Sequence, residues 1–216
     1  ICGGEASQPA RRRDQYTYSQ PQGPGFGVPS AQASVSAALV DANPYGGLDL
    51  YLGSGYCQGA SWGQLPKNQS PLWPQRLVRG LGKYRGVKVL AGSGCQGGPK
   101  NWLQMSQAIY ALRTSCQLTV VDLPVLQLPH LPWDELEGAR VLLVSDLTRR
   151  AALAARGWLQ EVRPGLGALA LREQGADLTS QEIARLVGAP VASTLPNRRE
   201  LSQRLQLGLD PLRLKR

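Results

Sequence analysis

Residues Val40 to Gly53 read VDANPYGGLDLYLG, and this segment carries the strongest indication of a fold class. An apolar run that begins at Ser36 leads into Asp41, which is followed by a turn rich in Pro and Gly and by a second acid, Asp49. In α/β proteins, ligands bind at the carboxyl ends of the strands of a parallel sheet. The stretch therefore predicts a strand that carries a polar site at its carboxyl end.

Downstream of this strand, short aliphatic runs alternate with longer segments of helical period. Such alternation is typical of parallel strands joined by crossover helices, and the apolar runs suit a sheet that is covered on both faces. The predicted strands are 36–40, 87–91, 118–121, 140–145, 167–171 and 191–194. The predicted helices are 72–81, 102–115, 148–162, 180–187 and 198–207.

Residues 1–33 have a different texture. They are rich in Gly, Pro, Ser, Gln and Arg and show no apolar period, so we expect no packed structure there. The prediction is a leader over 1–33 and one α/β domain over 34–216.

Net charge, cysteine content and the length of apolar segments limit the ligands and the cellular location that the sequence allows. The formal net charge of +9 favours anionic partners, although a solvated basic face also explains it. The four cysteines form no CxxC pair and the chain has one histidine, which argues against a zinc site. No segment is long and apolar enough to predict a membrane span, and free thiols in a reducing cytosol fit best.

Two acids, Asp41 and Asp122, end predicted strands. Neighbouring strands of a parallel sheet lie about 5 Å apart, so acids at their ends can share one Mg²⁺ through water and orient a water molecule at a phosphate. The alternative is that each acid caps a turn, which is a common use of Asp.

The order of these segments resembles the MinD/ParA-type ATPases, particularly the CpaE/TadZ-like branch encoded beside pilus and secretion machinery. The resemblance rests on 40–53, on Gly59 to Trp62 with Leu65, on Val120 to Pro124, and on Val141 to Val144. It implies a three-layer α/β sandwich with a mostly parallel sheet of the P-loop NTPase type. It also implies a cytoplasmic spatial regulator, polar or septal, for pilus or secretion assembly or septum-site placement.

The resemblance also assigns roles to residues and ligands. ATP and Mg²⁺ are the implied cofactors, with Asp122 as the acid that holds Mg²⁺ through water. Asp41 matches the first acid of a D-x-D-P segment and Asn43 replaces the second, so this pair takes the catalytic, water-orienting place. Arg172 occupies a position near the nucleotide base. The implied partners are proteins of the pilus, secretion or division machinery and a second copy of the chain; membrane contact is at most peripheral, and nucleic acid is not expected.

The phosphate loop of the resembled family, about G-G-x-G-x-S-T, is not intact in this sequence. Two stretches resemble remnants of it: Gly3 to Ser7, which later prolines separate from the strand, and Gly23 to Ser30, which places Gly25, Gly27 and Ser30 in the loop. Ser30 precedes Asp41 by 11 residues, and a crossover helix plus a strand needs more. The resemblance therefore implies ATPase activity, but the sequence lacks the intact phosphate loop that this activity requires. A scaffold that kept the fold but not nucleotide turnover is the alternative.

A second Gly-rich loop, Gly92 to Gly97, satisfies G-x-G-x-x-G, and Asp122 follows Gly97 by 25 residues. The usual spacing to the ribose acid is about 20 residues, which makes a dinucleotide site a further alternative. A plain strand-to-helix loop is the simpler interpretation of the same residues.

Three further expectations concern packing. The five tryptophans (Trp62, Trp73, Trp102, Trp133 and Trp158) are predicted to be core or cover residues. The tail from Leu201 onward is expected to pack against its own domain. Because no P-loop helix precedes the first strand, we expect exposed apolar surface near that strand and marginal stability.

Overall fold

The computed structural model describes residues 36–53, 56–66, 72–92, 97–131, 138–160, 167–175 and 177–213, with only the backbone of 128–130. The strands are Ala37–Asp41 (β1), Tyr56–Cys57 (β2), Gly82–Tyr84 (β3), Val87–Leu90 (β4), Leu118–Asp122 (β5), Val141–Asp146 (β6), Gly167–Arg172 (β7) and Val191–Leu195 (β8). The helices are Leu48–Leu52 (α1), Pro74–Gly80 (α2), Trp102–Ser115 (α3), Arg149–Gln160 (α4), Ser180–Val187 (α5) and Arg199–Gln206 (α6). Short 3₁₀ turns cover Trp62–Gln64 and Val125–His130.

The described strands form a five-stranded sheet in the order β2-β3-β4-β1-β5 and a three-stranded sheet in the order β6-β7-β8. Strand β1 pairs in parallel with β4 and β5, and the second sheet is wholly parallel. The strands β2, β3 and β4 are antiparallel, which the sequence did not predict. Their hairpin turns at Arg85 and Gly86, both with positive φ, as a two-residue hairpin requires.

The five-stranded sheet has helices on both faces. Ala38, Val40 and Leu90 point to one face and share a buried core with α2 and α3. Leu39 and Val89 point to the opposite face, where Leu52 of α1 covers them. Side chains that alternate between two covered faces make the α/β sandwich that the sequence predicted.

The three-stranded sheet packs α4 and α5 against one face. Its core is made of Leu169 and Leu171 from β7, Ala152 and Ala155 from α4, and Ile183 from α5. Helix α5 begins and ends at the predicted residues. Thr179 and Glu182 form a capping box, and Gly188 closes the helix with φ of 75°.

The apolar surface expected near the first strand is present on its neighbour β5, where Leu118 and Val120 are register partners of Ala37 and Leu39. The β1 side chains are buried or half-buried, since α1 covers Leu39. The exposure falls on the outer strands of the two sheets: about half of each side chain is exposed in Leu118, Val120, Leu142 and Val144. The first two lie on the Leu39 side of β5, beyond the cover of α1.

The tryptophans divide into two groups. Trp62 is fully buried, as predicted, whereas 70% of Trp73 is exposed, so its assignment to the core or cover is wrong. Trp102 is also exposed, Trp158 is half-buried, and Trp133 lies outside the described residues. Trp73 precedes the first helical residue and has an extended backbone (φ −72°, ψ 113°), so the helical period that turns Leu77 inward does not direct its side chain.

The tail packs against its own domain, as expected. The Asp210 carboxylate accepts hydrogen bonds from the Tyr84 hydroxyl at 2.5 Å and from Nη2 of Arg85 at 2.8 Å. Backbone atoms of Gly208 and Leu209 approach Gly53 so closely that a Cβ there would lie 2.5 Å from the Gly208 carbonyl oxygen. Within the described ranges, no helix is both long enough and apolar enough to cross a membrane.

Candidate functional site

Asp41 and Asp122 end adjacent parallel strands and are register partners. Residues in register on neighbouring strands point to the same face, and the strands lie about 4.8 Å apart. The structure therefore brings together the two acids that the sequence singled out, one buried and one exposed.

Both oxygens of the Asp41 carboxylate accept hydrogen bonds from the segment that follows the strand. Only 1% of Asp41 is exposed. One carboxylate oxygen accepts the backbone N–H of Asn43 at 3.0 Å, and the other accepts that of Leu48, the first residue of α1, at 3.0 Å. Asp41 thus fixes both the turn and the start of α1, which is the turn-capping role that the sequence left open for it.

Asn43 is also engaged locally. Its side-chain oxygen accepts the backbone N–H of Tyr45 at 3.1 Å, and its backbone carbonyl accepts the N–H of Gly46 at 2.9 Å. Asn at this position therefore stabilises the turn, as Asn commonly does. Its side-chain oxygen is thus used in the turn, and its amide N–H₂ group supplies two donors that can contact water.

The pKa of Asp41 is raised above its ordinary value by burial. The two backbone hydrogen bonds oppose the shift, and the negative charges of Asp122 and Asp49 add to it. An ionised Asp41 therefore lies in a field that a cation near Asp122 would relieve.

The Gly-rich loop after β4 packs against this turn. The N–H of Gly98 donates to the Pro44 carbonyl at 3.0 Å. A Cβ at Gly98 would lie 1.8 Å from the Asn43 carbonyl oxygen, and one at Gly97 would lie 2.4 Å from that of Pro44. These glycines therefore have a packing role, namely close backbone approach. Residues 93–96, which the dinucleotide alternative also needs, lie outside the described residues.

Two buried side chains behind the site were not identified as functional from the sequence. The Trp62 indole N–H donates to the Asp41 backbone carbonyl at 2.6 Å. Gln104 of α3 is buried, and its amide N–H₂ donates to the carbonyls of Trp62 and Leu65 at 3.2 Å each. Trp62 and Leu65 belong to the resemblance, but nothing in the sequence distinguishes Gln104 from a solvent-facing polar residue.

Arg172 lies at the corresponding edge of the second sheet. It ends β7 in register with Asp146, and its Nε donates to the Asp146 carboxylate at 2.7 Å. The ion pair raises the pKa of Arg172. The predicted base-contacting arginine is therefore paired, with a partner that the sequence analysis did not name.

The candidate phosphate-loop residues Gly25, Gly27 and Ser30 lie outside the described residues. Within the described part of the chain, no group of three or more His, Cys, Asp or Glu side chains is placed to hold a metal. The donor set is instead one exposed carboxylate, Asp122, beside a buried one whose two oxygens already accept N–H groups. This set suits a hydrated Mg²⁺ held through water, since Mg²⁺ retains several waters and often binds one or two carboxylates.

This chain has the fold of the ParA and MinD ATPases. A ParA family ATPase from Chlorobium tepidum TLS superposes with a TM-score of 0.56 at 16% identity, over 84% of this chain and 79% of that one. MinD from Pyrococcus horikoshii OT3, in complex with Mg-ADP, gives a TM-score of 0.51 at 14% identity, over 82% and 75%. The MinC:MinD complex from Aquifex aeolicus gives 0.53 at 13% identity, over the same shares.

Among curated proteins, the uncharacterized proteins Rv3660c and MT3760 of two Mycobacterium tuberculosis strains, H37Rv and CDC 1551, are each 31% identical to this chain over 196 residues. The match covers 88% of this chain and 55% of each relative, so the chain spans about half of their length. No protein-family model matches the chain.

Proposed function

We propose that this chain is a MinD/ParA-type protein in which the Asp41–Asp122 pair forms the carboxylate side of a Mg²⁺-nucleotide site. The observation that carries the proposal is the register pairing of the two acids at the carboxyl ends of adjacent parallel strands. Ligands of open α/β sheets bind at this edge. The fold shared with ParA and MinD ATPases, one of them seen with Mg-ADP, supports the same assignment.

In this site, Asp122 would hold Mg²⁺ through water, because its carboxylate is exposed at the strand end. The ion would supply charge neutralisation for a bound phosphate chain. Asp41 positions the turn that carries Asn43, and its negative charge lies behind Asp122. The N-terminal residues Gly25, Gly27 and Ser30 would contribute the phosphate contacts if the degenerate loop still works, and Arg172 would have to leave Asp146 to contact a base.

The finer proposal is a CpaE/TadZ-like role: a localisation factor for pilus or secretion assembly, or for septum-site placement, at a pole or septum. It rests on the resemblance of 40–53 and the downstream segments to that branch. The proposed partners are proteins of this machinery and a second copy of the chain; MinD from Aquifex aeolicus, which shares the fold, is seen in a complex with MinC.

The test is an equilibrium titration with a fluorescent ATP analogue, with and without Mg²⁺. We expect Mg²⁺-dependent binding that Asp122→Ala weakens by about tenfold or more, since the variant removes a charged hydrogen-bond acceptor from the hydrated ion. Asp177→Ala is the matched control, because it removes an exposed acid that has no role in the proposed site, and it should bind normally. Equal binding by wild type and Asp122→Ala, or no binding at millimolar nucleotide, would reject the site.

A non-catalytic scaffold on the same fold is the second candidate. It is favoured by the apolar side chains left exposed on the outer strands β5 and β6, which offer a surface to another protein. It is also favoured by the engagement of both Asp41 oxygens in the turn. Absence of nucleotide binding together with an intact fold would select this candidate.

A further inference from the structure

The outer side of α2 carries an exposed aromatic and basic surface that the proposed nucleotide site does not use. Trp73, Gln75, Arg76 and Arg79 line an open depression of about 490 Å³. We call these four residues the α2 patch. We propose that the α2 patch docks an acidic segment of a partner protein, one that presents two carboxylates about a helical turn apart beside an apolar side chain.

The fold itself does not require these side chains. Leu77 is the buried residue of α2, and Leu72 and Val78 pack against the same core. Trp73 is 70% exposed, although burial of a tryptophan removes about 150–250 Å² from water. Pro74 at the first helical position fixes the backbone directly after Trp73, so the indole is presented from a defined turn.

The segment of the chain that carries the patch contains charged residues of one sign only. Between Asp49 and Asp122 the chain contains no Asp or Glu and eight basic residues: Lys67, Arg76, Arg79, Lys83, Arg85, Lys88, Lys100 and Arg113. Arg85 pairs with Asp210, whereas in the described part of the chain neither Arg76 nor Arg79 has an ion pair. The patch thus keeps two guanidinium groups available for carboxylates from outside.

The spacing of the two arginines specifies the partner. Side chains three residues apart on a helix lie side by side, about 5–6 Å between Cβ atoms, so Arg76 and Arg79 match two carboxylates one turn apart on a partner helix. Arg binds carboxylates in a planar, two-pronged geometry, and Trp and Arg are the residues that dominate binding energy in protein interfaces. An apolar partner side chain would cover Trp73.

A protein segment fits this surface better than a nucleic acid does. Non-specific binding of single strands uses several aromatic rings along a basic groove that follows the backbone. The α2 patch has one indole beside two guanidinium groups in one depression, which is the scale of a few side chains. A nucleic-acid ligand is therefore an outcome that the test must separate.

The probe is a fluorescein-labelled, Ala-rich helical peptide of about 16 residues in which glutamate pairs lie one turn apart, each beside a leucine. Binding is measured by fluorescence anisotropy at about 50 mM salt, where surface charges are weakly screened. We expect saturable binding that weakens about tenfold in the double variant Arg76→Glu/Arg79→Glu and to a similar degree in Trp73→Ala. The same peptide with Gln in place of Glu should not bind.

The matched control is Arg149→Glu/Arg150→Glu, which makes the same charge change on the exposed start of α4 and should leave the affinity within about twofold. Far-UV circular dichroism confirms that each variant is folded. An equal loss in the α2 and α4 double variants, or no binding by the wild type, would overturn the proposal. So would oligo-dT of 15 nucleotides that binds more tightly than the peptide and loses affinity in the α2 variants.

Discussion

The carboxyl ends of the two sheets differ in the charges of the residues that end neighbouring strands. In the five-stranded sheet, the register partners that end β1 and β5 are both acids, Asp41 and Asp122. In the three-stranded sheet, the partners that end β6 and β7 are Asp146 and Arg172, which form an ion pair at 2.7 Å. The first edge gathers negative charge, and the second neutralises it.

The difference supports the first edge as the proposed ligand site. An ion pair already has its counter-charge, and surface ion pairs contribute little to stability, about 0–1 kcal/mol. Two neighbouring carboxylates repel each other, and one of them is raised in pKa by its burial and, to a lesser degree, by that repulsion. A cation is the group that would remove the repulsion at the first edge, whereas the second edge needs none.

The largest expected effect comes from removing Asp41. Asp41→Ala leaves the backbone N–H groups of Asn43 and Leu48 without their acceptor. An unsatisfied buried donor costs about 1–3 kcal/mol, so we expect a loss of about 2–4 kcal/mol in the free energy of unfolding, measured by urea denaturation. The exposed partner provides the control: Asp122→Ala should change stability by less than about 0.5 kcal/mol. Similar losses in both variants would mean that Asp41 does not hold the turn.

Next in size is a glycine substitution behind the acid pair. In Gly98→Ala the new methyl group would meet the Asn43 backbone, which can move only by shifting the turn. Overpacking of this kind costs about 1–3 kcal/mol. Thermal unfolding compares this variant with Gly157→Ala in α4, where a Cβ meets nothing within 4 Å and helix propensity favours Ala. A neutral Gly98→Ala would contradict the close approach of the two loops.

The third prediction concerns Asp210, an acid whose charge is paired with Arg85, and the dependence of the free energy of unfolding on pH. Tyr84 and Arg85 lower the pKa of Asp210 to about 2. A lowered pKa stabilises the fold above the ordinary value of 3.8 and loses that contribution as the pH falls from 3.8 towards 2. Urea denaturation between pH 5 and 2 should therefore show a smaller decline in Asp210→Asn than in the wild type. If the free energy of unfolding declined equally in the wild type and in Asp210→Asn, the lowered pKa of Asp210 would be contradicted.

The smallest effect is expected at the second edge. Both side chains of the Arg172–Asp146 pair are substantially exposed, with 52% and 33% of their surface accessible. Arg172→Ala should therefore cost at most about 0.5 kcal/mol, and the loss should shrink at high salt. A loss above about 2 kcal/mol in the free energy of unfolding would mean that the Arg172–Asp146 pair is not a weak surface ion pair.

Most regular elements follow from local signals in the sequence. Helix α3 covers the predicted residues because Asn101 caps it, accepting the N–H of Gln104 at 2.8 Å. Helix α5 does so because of Thr179, Glu182 and Gly188. The pairing of Asp41 with Asp122 was likewise predicted from two acids at strand ends.

The remainder depends on which elements become neighbours. Strand β2 has two residues and β3 has three, too few for a period to show. The short helix α1 was not predicted; it covers Leu39 of β1, whereas Leu118 and Val120 on the neighbouring β5 remain exposed. The partner of Arg172 became clear only from the register of β6 with β7.

The most direct test of the account is a carboxyl ¹³C NMR titration of Asp41 in the wild type and in Asp122→Asn. We expect the wild-type pKa of Asp41 to lie above the ordinary value of 3.8 and to fall in the variant, because the neighbouring charge is gone while burial remains. Added Mg²⁺ should lower the wild-type pKa and leave that of the variant unchanged. A pKa at or below 3.8, or one that neither Asp122→Asn nor Mg²⁺ moves, would contradict the claim that the two acids form one cation-binding edge.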